Sequence, residues 1–211
     1  ATTSNCSPSQ VPAPTNKSSS NKPISSPESK AVIERSRLDM AKSINCSMSE
    51  IVFTCNGTMS NNMALLGTLE KGDHFITSSY EHPAILKVSD YLLSKGVEVT
   101  LIKPDEFGLI SPNHIEDNIK DNTKLISIMY VNNEIGTINP ISDIATIANK
   151  NNISMHTDAV QFFGKDLIDV DNSNIDFMSL SAHKFYGPKG VGVLYKRNTQ
   201  KLVPTILGGG Q

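Results

Sequence analysis

Short apolar strands alternate with helices from residue 28 onward, and most strands run into a turn carrying Gly, Asn, His, Asp or Lys. This alternation is the strongest constraint on the fold. A parallel neighbour strand is reached only through a long crossover that packs over the sheet, and such crossovers are right-handed. The chain therefore reads as α/β, a three-layer, mostly parallel sheet with helices on both faces. Strands are predicted at Ile51–Thr54, His74–Ser78, Val97–Ile102, Leu125–Tyr130, Ile153–His156, Ile175–Leu180 and Val191–Tyr195. Helices are predicted at Thr58–Leu69, Pro83–Lys95, Ser111–Lys120 and Ile141–Lys150, with Gly96 as a C-cap after the second. A first helix opens with Ser26 as N-cap and Pro27 as first residue, its inward face marked by Val32, Ile33, Met40, Ala41 and Ile44.

The chain has 211 residues, 38% of them hydrophobic and 19% charged, enough to bury one sizeable core. Its net charge of -2 argues against an electrostatically driven nucleic-acid or membrane-surface binder. No apolar run approaches the ~18–20 residues that span a bilayer. The three cysteines, Cys6, Cys46 and Cys55, form no C-x-x-C pair and no disulfide framework, which fits a reducing compartment and gives no metal site. Residues 1–27 are rich in Ser, Thr, Asn and Pro and read as a low-complexity tail, with neither a secretory core nor an amphipathic transit pattern. Residues 28–211 then form the folded domain. The first residue is Ala1 rather than Met, and the last four are Gly208, Gly209, Gly210 and Gln211, so the sequence reads as incomplete at both ends.

In open parallel sheets, ligands bind outside the carboxyl ends of the strands. Five turns in those positions carry chemistry. In Ser181-Ala182-His183-Lys184, a lysine at the mouth of a buried strand can be partly desolvated, which lowers its pKa and suits a Schiff base. Ser181 and His183 beside it can donate to a phosphate. An ordinary surface lysine fits the same residues. In His156-Thr157-Asp158-Ala159-Val160-Gln161, Asp158 can pair with a protonated pyridine nitrogen and Gln161 can reach a phenolic oxygen, although a helix N-cap is an equal reading of Asp158.

Gly57-Thr58, after Cys55-Asn56, joins a flexible backbone to a helix start, which is either a phosphate cradle or a plain turn and cap. His82, in Tyr80-Glu81-His82-Pro83, can stack on a flat ring and move protons, or serve as a hydrogen-bonded structural residue. Asn133, in Val131-Asn132-Asn133-Glu134-Ile135-Gly136, can orient a cofactor oxygen, or belong to an Asn-rich turn. Cys55 reads as a small buried hydrophobe, and His74, His114 and His156 as structural. No P-loop, G-x-G-x-x-G or H-E-x-x-H is present.

Taken together, in this order, these turns resemble the cysteine desulfurase family of class V aminotransferase-type pyridoxal-phosphate enzymes. The resemblance runs from about Lys30 to Gln211 and also rests on Ile51–Thr54, Ser60-Asn61-Asn62, Tyr186-Gly187-Pro188-Lys189-Gly190 and Gly208–Gln211. It implies the large domain of the fold-type I enzymes and pyridoxal 5'-phosphate as cofactor. Lys184 and His82 would be catalytic, with Lys184 holding the cofactor as a Schiff base. Asp158 would pair with the ring nitrogen, Gln161 and Asn133 with the phenolic oxygen, and Gly57, Thr58, Ser181 and His183 with the phosphate. The implied reaction takes sulfur from L-cysteine, giving L-alanine and a protein persulfide for iron–sulfur clusters or thiolated RNA.

The implied partners are a second copy of the full-length protein and a sulfur-acceptor or scaffold protein, in the cytoplasm or mitochondrion. A selenocysteine lyase, another class V aminotransferase, or a non-catalytic paralogue acting as a binding partner are the alternatives. Where the family has S-G-G-T-E-S-N-N, this chain has Asn56 and Met59 in place of Gly and Glu, and Asn56 is expected to strain the turn. The family's nucleophilic cysteine and small carboxyl-terminal domain have no counterpart after Cys55, so this chain alone is expected not to form a persulfide.

Overall fold

A computed structural model describes residues 27–208. In chain order the elements are α1 (Pro27–Ser43), β1 (Ile51–Thr54), α2 (Gly57–Leu66), β2 (His74–Ser78), α3 (Pro83–Ser94), β3 (Glu98–Ile102), α4 (Pro112–Glu116), β4 (Thr123–Ser127), α5 (Ile141–Lys150), β5 (Ser154–Asp158), β6 (Phe177–Ser181) and β7 (Gly192–Lys196). The seven strands form one sheet in the order β1-β7-β6-β5-β4-β2-β3. The pairings β2–β3, β2–β4, β4–β5 and β5–β6 are parallel, whereas β7 runs antiparallel to β6 and β1. The predicted α/β class holds, with the antiparallel strand as an addition. Its cause is the short β6–β7 connection, which leaves no room for a crossover helix and turns the chain straight back.

Period-two alternation divides the strand side chains between two cores. Phe75, Leu125, Phe177 and Leu194 face α2 and α3 and pack with Leu65, Ile85 and Leu92. Their chain neighbours Ile76, Ile126, Met178 and Val193 join the opposite cluster, which holds Ile115, Ile144, Ala145 and Ala148 of α4 and α5. Burying a Leu or Ile side chain contributes ~1.5–3 kcal/mol, so both faces must be covered and three layers result.

Several boundaries differ from the expected ones. β5 and β6 extend to Asp158 and Ser181, so these residues are the last of their strands rather than turn residues. α2 stops at Leu66, and the carbonyl of Gly67, its C-cap, accepts from the Val203 N–H at 2.8 Å. Gly96, at φ +90°, ends the α3 turn as predicted. Ala41 and Ile44 are buried, but Val32 and Ile33 are exposed, since only the carboxyl-terminal turns of α1 reach the core. The predicted tail at 1–27 and the Ser26 cap fall almost wholly outside the described residues.

The strand order reverses at β2, which has β3 on one side and β4 on the other. Crevices at such reversals are where open α/β sheets take ligands. The turns after β1, β2, β4, β5 and β6 all open on that end of the sheet.

Candidate active site

A cavity of about 230 Å³ lies there, lined by Gly57, Thr58, His82, Asn133, Asp158, Gln161, Ser181, His183 and Lys184, together with Asn56, Asn61, Met129, Val131 and Val160. All nine residues singled out from the sequence thus border one space.

The phosphate-cradle candidates sit at the start of α2. Asn56 is extended, at φ −175° and ψ 172°, and its side chain accepts from the Met59 N–H at 2.8 Å. It is therefore an unstrained N-cap, correcting the expected strain. Thr54 turns its hydroxyl inward to Ser60 Oγ at 2.8 Å, and strand alternation sends Cys55 out. Cys55 is exposed, correcting its reading as a buried hydrophobe. Gly57 has no room for a side chain: a Cβ there would lie 2.8 Å from Val160 and 3.4 Å from Ser181. The cavity wall is built against that missing atom.

His82 caps α3, its Nδ1 accepting from the Ala84 N–H at 3.1 Å. In the neutral ring this places the proton on Nε2. Asn132 and Asn133 divide the two readings of their turn. Asn132 is the structural one, accepting from the Glu134 and Ile135 N–H groups and donating to Tyr80, while Asn133 is exposed and borders the cavity.

Asp158 is buried at the end of β5, with Oδ2 accepting from Asn61 Nδ2 at 2.7 Å and Oδ1 from the Val160 N–H at 3.0 Å. Burial pushes its pKa up, and these two bonds with the nearby His82 oppose the rise. Below it on the same strand, His156 spans Ser127 Oγ at 2.7 Å and Ser179 Oγ at 3.0 Å, and burial lowers its pKa to about 3. Its structural reading stands, as does that of His74, buried between Thr123 and Thr100. His114 is exposed on α4.

Lys184 stands on a 3-10 turn, Ala182–Phe185, at the cavity's edge. It is solvent-exposed, so the partial desolvation expected at the mouth of a buried strand is not seen. The turn follows directly on the end of β6. It is closed by the Gly187 N–H on the Ala182 carbonyl at 2.9 Å and by Tyr186 in the left-handed region at φ +66°, a conformation uncommon for a bulky residue. Beside it, Ser181 Oγ and His183 Nδ1 are 3.0 Å apart.

Two further buried groups escaped the sequence reading. Glu81 is 4% exposed, and its Oε1 accepts from Ser78 Oγ at 2.5 Å and the Met129 N–H at 3.0 Å. On its other side the chain beyond β4 keeps bonding to β5, the Ile128 N–H to the His156 carbonyl and the Tyr130 N–H to the Asp158 carbonyl. β2 has already ended at Ser78, so the Glu81 carboxyl takes over the ladder position that faces Met129. Burial, reinforced by Asp158, raises its pKa to about 8. Asn61 is the other group. Both lay inside quoted motifs, but nothing in the sequence says that they meet Asp158 or β4.

The Aminotransferase class-V family model matches residues 15–211. The chain belongs to the class V aminotransferase family. Within that family it is 46% identical over 188 residues to "Cysteine desulfurase IscS" of Dictyoglomus turgidum, covering 87% of this chain and 48% of the relative. It is 44% identical to "Cysteine desulfurase, mitochondrial" of Saccharomyces cerevisiae, covering 87% of this chain and 38% of the relative. Among solved structures, "SspA in complex with cysteine" superposes at TM-score 0.84 and 47% identity, over 87% of this chain and 55% of that one. "NIFS-LIKE PROTEIN" superposes at TM-score 0.84 and 38% identity, over 87% and 52%. This class V aminotransferase chain spans about half the length of the curated relatives it matches.

Proposed function

We propose that the protein is the cofactor-binding domain of a pyridoxal-phosphate-dependent cysteine desulfurase. The observation that carries the reading is the convergence of Lys184, from the turn after β6, and Asp158, from the end of β5, on a cavity that also holds His82, Gln161 and the α2 start. The residues fit the cofactor. The wall at Gly57 leaves space that a Cβ would fill, and Asn61 Oδ1, on a residue lining the cavity, is a buried acceptor without a partner among the described residues.

Pyridoxal phosphate, when bound, supplies an electron sink that weakens bonds at the substrate's Cα and Cβ. The chain's own residues do the rest. The first N–H groups of α2 with the hydroxyls of Thr58 and Ser181 and the His183 imidazole form an anion cradle, helped by the positive end of the helix dipole. The Asp158 carboxylate holds a proton at a ring nitrogen. Gln161 and Asn133 offer amide N–H donors to the phenolic oxygen. His82, which borders the cavity with its Nδ1 engaged by the Ala84 N–H, would offer its Nε2 for proton transfer. Lys184, exposed at the cavity's edge, would be the amine that holds the cofactor and the base for a proton at the substrate's Cα.

The sulfur acceptor lies outside this cavity. No cysteine lines it among the described residues, and burial with Glu50 pushes the Cys46 thiol up to about 12, away from thiolate reactivity. We infer that the persulfide forms on a thiol brought in by another segment or protein, that the working enzyme is a homodimer delivering to an acceptor or scaffold protein, and that it acts in the cytoplasm or mitochondrion.

Reconstitution with pyridoxal phosphate tests the reading. The protein is expected to gain a visible absorption band that Lys184→Ala abolishes, and to release little sulfide from L-cysteine with reductant when no thiol acceptor is added. A band that persists in Lys184→Ala, or none in the wild type, overturns it.

A further inference from the structure

We infer that Asn61 is a positioning residue, holding the Asp158 carboxylate ionised and aimed so that it can receive a protonated ring nitrogen. This rests on the proposed function and names a residue that the sequence resemblance assigned no role.

Asn61 is 1% exposed and lines the cavity from α2, while Asp158 lines it from β5. The bond between them, 2.7 Å from Nδ2 to Oδ2, is charge-assisted and short. With the Val160 N–H on Oδ1, each carboxylate oxygen has one donor, and the two donors come from different elements, which fixes the carboxylate plane. The amide orientation is set by the same contact, since a flipped Asn61 would place its oxygen against Oδ2. Asn61 Oδ1 is thereby left buried without a partner among the described residues. A buried orphan acceptor is costly, and it is tolerated here where the opposite nitrogen does something specific. Other groups around Asp158 do not replace this bond. His82 acts from the start of α3 through charge, Glu81 sits in the β2–α3 turn as a second acid, and Lys184 and His183 stand exposed at the edge.

Removing the donor takes away one of the two hydrogen bonds that favour the ionised carboxylate, so the balance shifts towards burial and the protonated form. A neutral carboxyl loses the charge pairing that holds a proton on a ring nitrogen and offers it only a weaker hydrogen bond. A purely structural Asn61 would affect stability alone.

The test has a ligand-free arm and a loaded arm. In the ligand-free protein, the Asp158 side-chain carbon is titrated by carbon-13 NMR in wild type and Asn61→Ala. The midpoint is expected to rise by about one to two pH units, a 10- to 100-fold gain in proton affinity. In the loaded arm, pyridoxal phosphate is titrated into both proteins at neutral pH, and Asn61→Ala is expected to bind at least about 10-fold more weakly. An unmoved midpoint or an unmoved affinity overturns the inference. Should Asn61→Ala fail to fold, the isosteric Asn61→Asp serves. It is expected to place two carboxyls on one proton, to titrate in two separated steps, and to bind the cofactor more weakly. A single unshifted Asp158 step, or wild-type affinity, in that variant overturns the inference equally. A wild type without a Lys184-dependent band would sink the functional reading instead, and the ligand-free titration would still decide whether Asn61 governs Asp158.

Discussion

Glu81→Gln is expected to abolish the fall in the protein's stability between pH 6.5 and 8. The Glu81 pKa rises from 4.5 to about 8 in the fold, chiefly through burial. The unfolded chain releases this proton above pH 4.5 and the folded one keeps it, so the folded state binds more protons over the interval. Stability contributed by the neutral acid is complete below pH 4.5 and drains away as pH rises towards 8. At ~1.36 kcal/mol per pKa unit the loss is at most ~5 kcal/mol. Gln at the same position keeps an oxygen for the Ser78 hydroxyl and Met129 N–H, does not titrate, and adds an N–H where Oε2 already lacks a partner, at a cost of ~1–3 kcal/mol.

His156 shapes the wild-type curve in the opposite sense. Its pKa falls from 6.5 to about 3, so the unfolded chain binds the extra proton and stability is lost as pH drops through that range. Between pH 4.5 and 6.5 the two slopes cancel and the wild type is flat; from 6.5 to 8 it falls. Without Glu81 the curve rises to 6.5 and then levels off. Urea unfolding of both proteins at half-unit intervals from pH 5 to 8.5 measures this. The stability difference should move towards the variant by ~1.4 kcal/mol per pH unit until about pH 8, so that Glu81→Gln is the more stable protein at the alkaline end. A difference independent of pH would refute the reasoning, since it would mean that Glu81 does not hold its proton in the fold.

Two smaller substitutions probe the α2 start. Gly57→Ala gains helix propensity but drives a methyl to within 2.8 Å of Val160, so net destabilisation of ~1–2 kcal/mol by urea unfolding is expected, with pyridoxal phosphate affinity down at least about 10-fold in a spectral titration. Asn56→Ala removes the acceptor for the Met59 N–H and should cost ~1 kcal/mol in the same unfolding assay, whereas Asn56→Gly should cost only a few tenths.

What could be read from the sequence was whatever depends on period and order. Alternating strand and helix dictated the layered parallel sheet, and each candidate side chain sat at or just after a strand end whose place the sheet topology fixes, which is why Lys184, Asp158, His82 and Gly57 border one cavity. Properties that depend on partners from elsewhere could not be read. The reversal of β7 comes from a short connection, the exposure of Val32 and Ile33 from how far α1 extends beyond the core, and the exposure of Lys184 from the 3-10 turn that carries it. Asn56 looked like a strained replacement for glycine because the motif suggests a special backbone. The actual backbone is extended, which any residue adopts, and the amide then serves as a cap.

The same limit explains why the polar layer under the cavity was invisible, and that layer sets the cavity's charge. His156 is uncharged above about pH 3, and Glu81 keeps its proton to about 8. Near neutrality both are neutral, although one is a base and the other an acid. Asp158 is buried like them, but unlike Glu81 it accepts N–H donors on both oxygens. Hydrogen bonds to a carboxylate favour its ionised form, as a second anion close by would not. A protonated Glu81 therefore does two things at once: it completes the β4 backbone at Met129 and keeps a competing charge away from Asp158. A cation reaching this end of the sheet meets a buried carboxyl, Asp158 at the carboxyl end of β5, whose two N–H donors favour its charged form against burial. Its orientation is held from α2, so the electrostatics of the site depend on packing between helix and sheet as much as on the residue that carries the charge.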